Sequence, residues 1–319
     1  MLGAFDALFD LSAAACCQNA DIIHTKNIPM NNEKLAQIAS TMLPRQIGIE
    51  LELLIPTPTF NEVVTALQAV VEFKEERYNH ITKTWWKLVP DHSLHASSAW
   101  QVCEIVSPPL LPNELFKQTK LICEVLERFG ASVNQSCGFH VHHDAEKFTT
   151  KRLQYAVNLI VKSEQAIDCL MPKSRRGDSR WCKSNKEVLN TSINHDLGLV
   201  REGDHYRYRR LNLTSFLRHG TLEYRQHAGT IELEKIVLWV AFTQALAMRS
   251  RLKVTQNADY QNPMHNVLIQ IKWATCDRDG ALIPVSEIHA DLCKRVVDRM
   301  THFGFAEEAP RLAPHVVEA

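Results

Sequence analysis

Four short stretches carry residue types able to do chemistry together. In Gly48-Ile49-Glu50-Leu51-Glu52, strand alternation puts Gly48, Glu50 and Glu52 on one face and Ile47, Ile49, Leu51 and Leu53 on the other. Two carboxylates held side by side repel unless one keeps its proton or a cation lies between them. In Gly138-Phe139-His140-Val141-His142, the two imidazoles share a face with Gly138 while Phe139 and Val141 face the core. Neutral imidazole is a common ligand of divalent metals, and a bare glycine lets a ligand or a second backbone come close. The stretch Thr221-Leu222-Glu223-Tyr224-Arg225-Gln226-His227 projects Glu223, Arg225 and His227 from one face, and in Cys103-Glu104-Ile105-Val106 a lone acid interrupts an apolar strand that Pro108 ends.

Each signal has a plain alternative: a solvated acidic face, half-buried histidines, a surface ion pair of little worth, an edge-strand guard against aggregation. Four strands offering such groups within one domain are more simply explained by one shared polar face. Oxygen-rich sites with an occasional imidazole suit magnesium or manganese, whereas zinc more often recruits cysteine or several histidines.

Those residues need elements to hold them. Period-two alternation and β-branched or aromatic content predict strands at 46–55, 85–90, 100–107, 137–144, 206–216 and 221–227. Helices fit between them: one after Pro112 with Asn113 as cap, carrying Leu115, Ile122, Leu126 and Phe129 and stopped by Gly130; one opened by Thr149 or Thr150 and carrying Leu153, Val157, Ile160 and Ile167; one from near Glu232 that buries Ile236, Val240 and Leu246. The expected fold class is α+β. Residues 1–44 read as an N-terminal appendage with one or two short helices, 45–253 as the catalytic domain, and 254–319 as a C-terminal helical extension whose amphipathic helix starts at Ser286 and runs through Phe303.

Composition narrows the classes. The 319 residues hold 36 Lys+Arg against 36 Asp+Glu, so no global field is available to grip a nucleic-acid backbone or an anionic membrane, and neither partner is expected. The longest apolar run, from Ile236 to Met248, is interrupted by Thr243 and Gln244 and is too short for a bilayer span. The opening apolar stretch contains Asp6 and Asp10 and lacks the basic start of an export signal, which reads as a cytoplasmic protein. Nine scattered cysteines without a CxxC suggest reduced, buried thiols.

The blocks Gly48–Glu52, Glu104-Ile-Val-Ser-Pro-Pro-Leu110, Cys137-Gly-Phe-His-Val-His-His143, Tyr208-Arg-Arg-Leu-Asn-Leu213 and Thr221-Leu-Glu-Tyr-Arg-Gln-His-Ala-Gly-Thr230 occur in an order that resembles the amidoligase family, carboxylate-amine ligases with the glutamine-synthetase-like fold. They cover roughly Arg45 to Arg251. The resemblance implies a curved, mainly antiparallel sheet with helices on its convex face and a concave face that binds ATP and divalent metal, Mg2+ or Mn2+. It implies that Glu50 and Glu52 ligate different metals, that Glu104 completes one site, and that His140 and Glu223 complete the other. His142 and Asn212 would then lie near the nucleotide, Arg225 would meet phosphate or the forming acyl phosphate, and Asp91 would take the proton of the attacking amine. Glutamine synthetases carry an additional Arg where this chain has Thr221, so Arg175 and Arg176, in the basic stretch from Lys173 to Arg180, are the expected grip on phosphate. The implied activity joins a small-molecule or peptide carboxylate to an amine. Two other readings stay open: phosphoryl transfer from ATP to a nitrogen acceptor on the same architecture, and an inactive binding module.

Overall fold

The computed structural model describes residues 31–169, 171–177, 179–186, 188 and 207–249; the predicted helix after Ser286 lies outside them. Its elements are α1 (Asn32–Thr41), β1 (Ile47–Pro56), α2 (Phe60–Val70), β2 (Phe73–Glu75), β3 (Trp86–Pro90), β4 (Trp100–Val106), α3 (Pro112–Arg128), β5 (Gly138–Asp144), α4 (Thr150–Cys169), β6 (Leu211–Asn212), α5 (Thr214–His219), β7 (Thr221–Ala228) and α6 (Leu233–Arg249). The strands form one open sheet in the order β2-β3-β4-β1-β5-β7-β6. All neighbours are antiparallel except the pair β2 and β3.

Alternation along the central strands divides the sheet into two unlike faces. Ile47, Ile49, Leu51, Ile105, Phe139, Val141, Leu222 and Tyr224 join one buried cluster with Val63 and Leu67 of α2, Ile122 and Leu126 of α3, and Ile236 and Val240 of α6. The helices therefore cover that face. α1 belongs to the same core: Leu35 and Ile38 are buried in it, and the Leu43 N–H donates to Gln244 Oε1 of α6 at 2.9 Å. Beyond Glu52 the alternation of β1 lapses, because Leu54 also meets apolar partners on the other face, Leu94 and Cys137.

Local chemistry decides the boundaries. Pro112 opens α3, one residue ahead of the expected Asn113 cap, since a missing N–H costs nothing in a first turn. Gly130, at φ 70°, ends it. The strand expected over 206–216 is mostly absent. Among its described residues only Leu211–Asn212 forms a ladder with β7, after which Asn212 Oδ1 accepts from the Thr214 N–H at 2.9 Å and from Thr214 Oγ1 at 2.7 Å. That side-chain turn competes with the ladder and bends the chain into α5. Cys103, Cys123, Cys137 and Cys182 are free and buried, and among the described residues no helix is long and apolar enough to cross a membrane.

Candidate active site

Register sets the site. Glu50 lies opposite His140, Glu52 opposite Glu104, and Glu223 between His142 of β5 and Asn212 of β6. Directly opposed residues share a face, so five strands bring their polar groups together on the face opposite α2, α3 and α6. His140 Nδ1 is 2.9 Å from Glu50 Oε2, and its Nε2 is 3.5 Å from Glu52 Oε1. His142 Nε2 is 3.1 Å from Glu50 Oε1, with Nδ1 3.0 Å from Thr221 Oγ1. Arg225 donates to Glu223 Oε1, while Asn212 Nδ2 donates to Glu223 Oε2 at 2.6 Å.

A β-bulge shapes one edge of this cluster. Between the pairs Val141↔Tyr224 and Phe139↔His227, β5 advances two residues and β7 three, so Arg225 and Gln226 both lie against His140. Arg225 keeps the face expected of it. His227 does not: strict alternation would set it beside Glu223, but the extra residue turns it to the helix face, edge-on to Phe139 at 5.5 Å and against Trp239 at 5.2 Å.

Gly138 meets the expectation of close approach. A Cβ there would sit 2.8 Å from His140 Nε2 and 3.2 Å from both Glu52 Oε2 and Arg175 Nη1. Its own N–H donates to Glu52 Oε2. Arg175, 2% exposed, donates to the carbonyls of Cys137 and Ser136. Its loop is held from behind by α4, where Asp168 pairs with Arg210 at 2.9 Å and accepts from Gln226 Nε2 at 2.6 Å. The Gln226 amide also donates to the Arg175 carbonyl. Arg176 points elsewhere, donating Nε to the Met171 carbonyl at 2.7 Å, and does not line the cleft. Asp91 does line it, with Oδ1 accepting from the Ser93 N–H.

The electrostatics are those of crowded acids in a buried place. Burial raises the Glu104 carboxyl, the charges of Glu50, Glu52 and Asp91 push it further, and it stands well above the usual carboxylate range. Burial would raise Glu50 too, but the His142 charge and the hydrogen bonds from both histidines outweigh it and hold it well below that range. Glu223 is lowered because Arg225 and then His142 overcome its burial. His142 is raised, its desolvation outweighed by Glu50 and Glu223.

Two triads place ligand atoms within 4.8 Å of one another: Glu50, Glu104 and His140, and Glu50, His142 and Glu223. Glu50 is common to both. Glu52 falls outside them, one oxygen being occupied by the Gly138 N–H. The donor set, carboxylates with imidazole and a raised acid, Glu104, whose ionised form a cation would favour, fits one or two hard divalent ions.

The cleft has walls that no periodicity announces. Tyr78 and His80 come from the loop between β2 and β3, Arg207 and Tyr208 from the approach to β6, Trp181 from the basic loop, and Arg218 and His219 from α5. His219 is edge-on to His142 at 6.3 Å.

Comparison with known proteins fits this arrangement. The model of the family described as "Putative amidoligase enzyme" matches residues 43–247, more than half of the chain. The chain belongs to the amidoligase family. Membership places it with ligase-type enzymes. No curated protein sequence matches it. Among solved structures, a bifunctional glutathione synthetase from Pasteurella multocida aligns with 90% of this chain at 10% identity and a TM-score of 0.37, a likeness too weak to carry weight. The chain spans about half, 48%, of that protein's length.

Proposed function

We propose that this amidoligase joins a carboxylate to an amine at the expense of ATP, with magnesium or manganese held by Glu50, Glu52, Glu104, His140 and Glu223. The observation that carries the reading is Glu50 shared by two ligand triads, with Arg225 and the buried Arg175 on the same cleft. A glutamine-synthetase-like catalytic unit over 45–253 accords with the single, mainly antiparallel sheet and its polar face opposite the helical core.

A carboxylate resists an amine because it is already anionic and its oxygen is a poor leaving group. Transfer of the γ-phosphoryl group to it supplies a good one, and the task of the protein is then to position charge. Bound divalent metal would neutralise the triphosphate and orient its terminal phosphate. Arg225, fixed on Glu223 and against His140, offers its remaining guanidinium edge to charge that develops during transfer. Arg175 adds a second preorganised cation. His142 lies close enough to Glu50 and Glu223 to serve either as ligand or as donor to phosphate. Asp91, at the rim with Glu104, would take the proton of the amine.

The test is incubation of the full chain with ATP, magnesium and pools of carboxylates and amines, followed by mass spectrometry and nucleotide chromatography. Dehydrated adducts with ADP are expected. A phosphorylated acceptor without an amide would replace the ligase reading by phosphotransfer, and no ATP turnover with any pool would remove it.

A further inference from the structure

Four arginines line the cleft, and only one of them is paired with an acid there among the described residues. Arg225 is balanced by Glu223, but Arg175, Arg207 and Arg218 also line the cleft and make no ion pair with any described carboxylate. For Arg175 this matters most, because the side chain is almost wholly buried and, among the described residues, its guanidinium meets two backbone carbonyls while its Nε has no partner. A buried cation so poorly matched calls for an anion. Arg207 and Arg225 both lie against the Tyr208 ring, their guanidinium carbons 5.5 and 5.8 Å from its centre. The Trp181 ring continues that wall, 5.7 Å from Tyr208. The buried Arg175 and Arg225 therefore make an inner station beside the carboxylate-imidazole cluster, and the more exposed Arg207 and Arg218 an outer one, with the Tyr208 ring touching both Arg225 and Arg207.

We infer that this arginine mouth admits the carboxylate substrate and that the substrate bears a second negative charge. The reacting carboxylate sits at the inner station with Arg225 and Arg175, the second anionic group on Arg207 and Arg218, and the intervening carbons along Tyr208 and Trp181. The substrate class is then a dicarboxylic acid or a peptide with an acidic terminus. The inference rests on the ligase reading above. It goes further in naming which carboxylates are taken. Nucleotide phosphate is the other source of negative charge, and the experiment separates the two.

Calorimetry on the full chain, saturated with magnesium and a non-hydrolysable ATP analogue, would compare dicarboxylates from succinate to pimelate with monocarboxylates of equal carbon number. At least one dicarboxylate should bind about tenfold or more tighter than its matched monoanion, the worth of a charge-assisted hydrogen bond. In Arg207→Ala, and further in Arg207→Ala combined with Arg218→Ala, that preference should shrink to about twofold or less, while Arg207→Lys keeps part of it. A parallel titration with magnesium tripolyphosphate should be little affected by either change. The inference is overturned if no dicarboxylate is preferred, or if the variants weaken tripolyphosphate as much as the dicarboxylate, which would assign these arginines to the nucleotide. Failure of the ligase reading looks different: no analogue binding and no ADP formed with any carboxylate.

Discussion

Replacing Glu104 by Gln should stabilise the metal-free protein at neutral pH and destabilise its response to metal. Glu104 is the carboxyl whose burial and acidic neighbours hold its pKa well above the ordinary value, so between the unfolded and folded values the native state binds more proton than the unfolded chain. Stability then falls as pH rises from the unfolded value of about 4.3 towards the folded one. Two arguments size the effect. A pair of charges within the 4.8 Å that Glu50 and Glu104 share repels by about 3.5 kcal/mol at an effective dielectric near 20. Holding a proton at pH 7 on a group of ordinary pKa about 4.3 costs at most about 3.7 kcal/mol. The amide must itself find partners, so a gain of about 1–3 kcal/mol is expected, or about 3–10 °C in Tm for a domain of this size. Thermal unfolding in chelator at pH 7 and at pH 4 measures it, and the gain should vanish at the lower pH, where both states hold the proton. Magnesium should raise the Tm of the wild type more than that of the variant, because binding to the native state adds stability by linkage. A variant no more stable than wild type at pH 7, or equally stabilised at both pH values, would refute the crowding argument.

Glu50→Ala should abolish ATP turnover and remove most of the joint stabilisation by magnesium and ATP while leaving the apo Tm within a few degrees, since the residue stands on the site face and belongs to both triads; circular dichroism and a coupled ADP assay read the two effects. Gly138→Ala should displace His140, Glu52 and Arg175 and erase the magnesium-dependent thermal shift at a stability cost of about 1–3 kcal/mol. Gly48→Ala, whose Cβ would first meet His142 Cβ at 3.5 Å, should keep that shift and serves as its control. Asp168→Ala should leave the buried Arg210 unpaired and cost about 3 kcal/mol in urea unfolding. Its kcat should fall as well, because Gln226 and the Arg175 loop lose their anchor.

The parts of the fold and site that could be read from the sequence are those that repeat. Period-two alternation in β1 from Ile47 to Leu53 and in Gly138–Asp144 separates ligand-bearing from core-facing positions, and the structure keeps that division for Glu50, Glu52, His140 and His142. His227 escapes it because a bulge is a one-residue change in pairing that leaves no trace in the hydrophobic pattern. α2 is weakly marked in the sequence: Val63, Val64 and Leu67 do recur at helical spacing, but the helix directly follows a strand and a short 3-10 turn through Pro58. Tyr78 and His80 on a connecting segment, and Arg218 on the short α5, carry no such pattern, since tertiary packing places them in the cleft wall. Arg175 and Arg176 stood out together as basic neighbours, and only the short 3-10 turn over Lys173–Arg175 separates one that enters the cleft from one that leaves it.

The most direct test of the central claim is the fate of the carboxylate oxygen. With an 18O-labelled carboxylate, ATP, magnesium and an amine, activation by γ-phosphoryl transfer should yield the amide, ADP, and inorganic phosphate carrying one labelled oxygen per amide formed. Label recovered in AMP, or amide formed while phosphate stays unlabelled, would contradict the account.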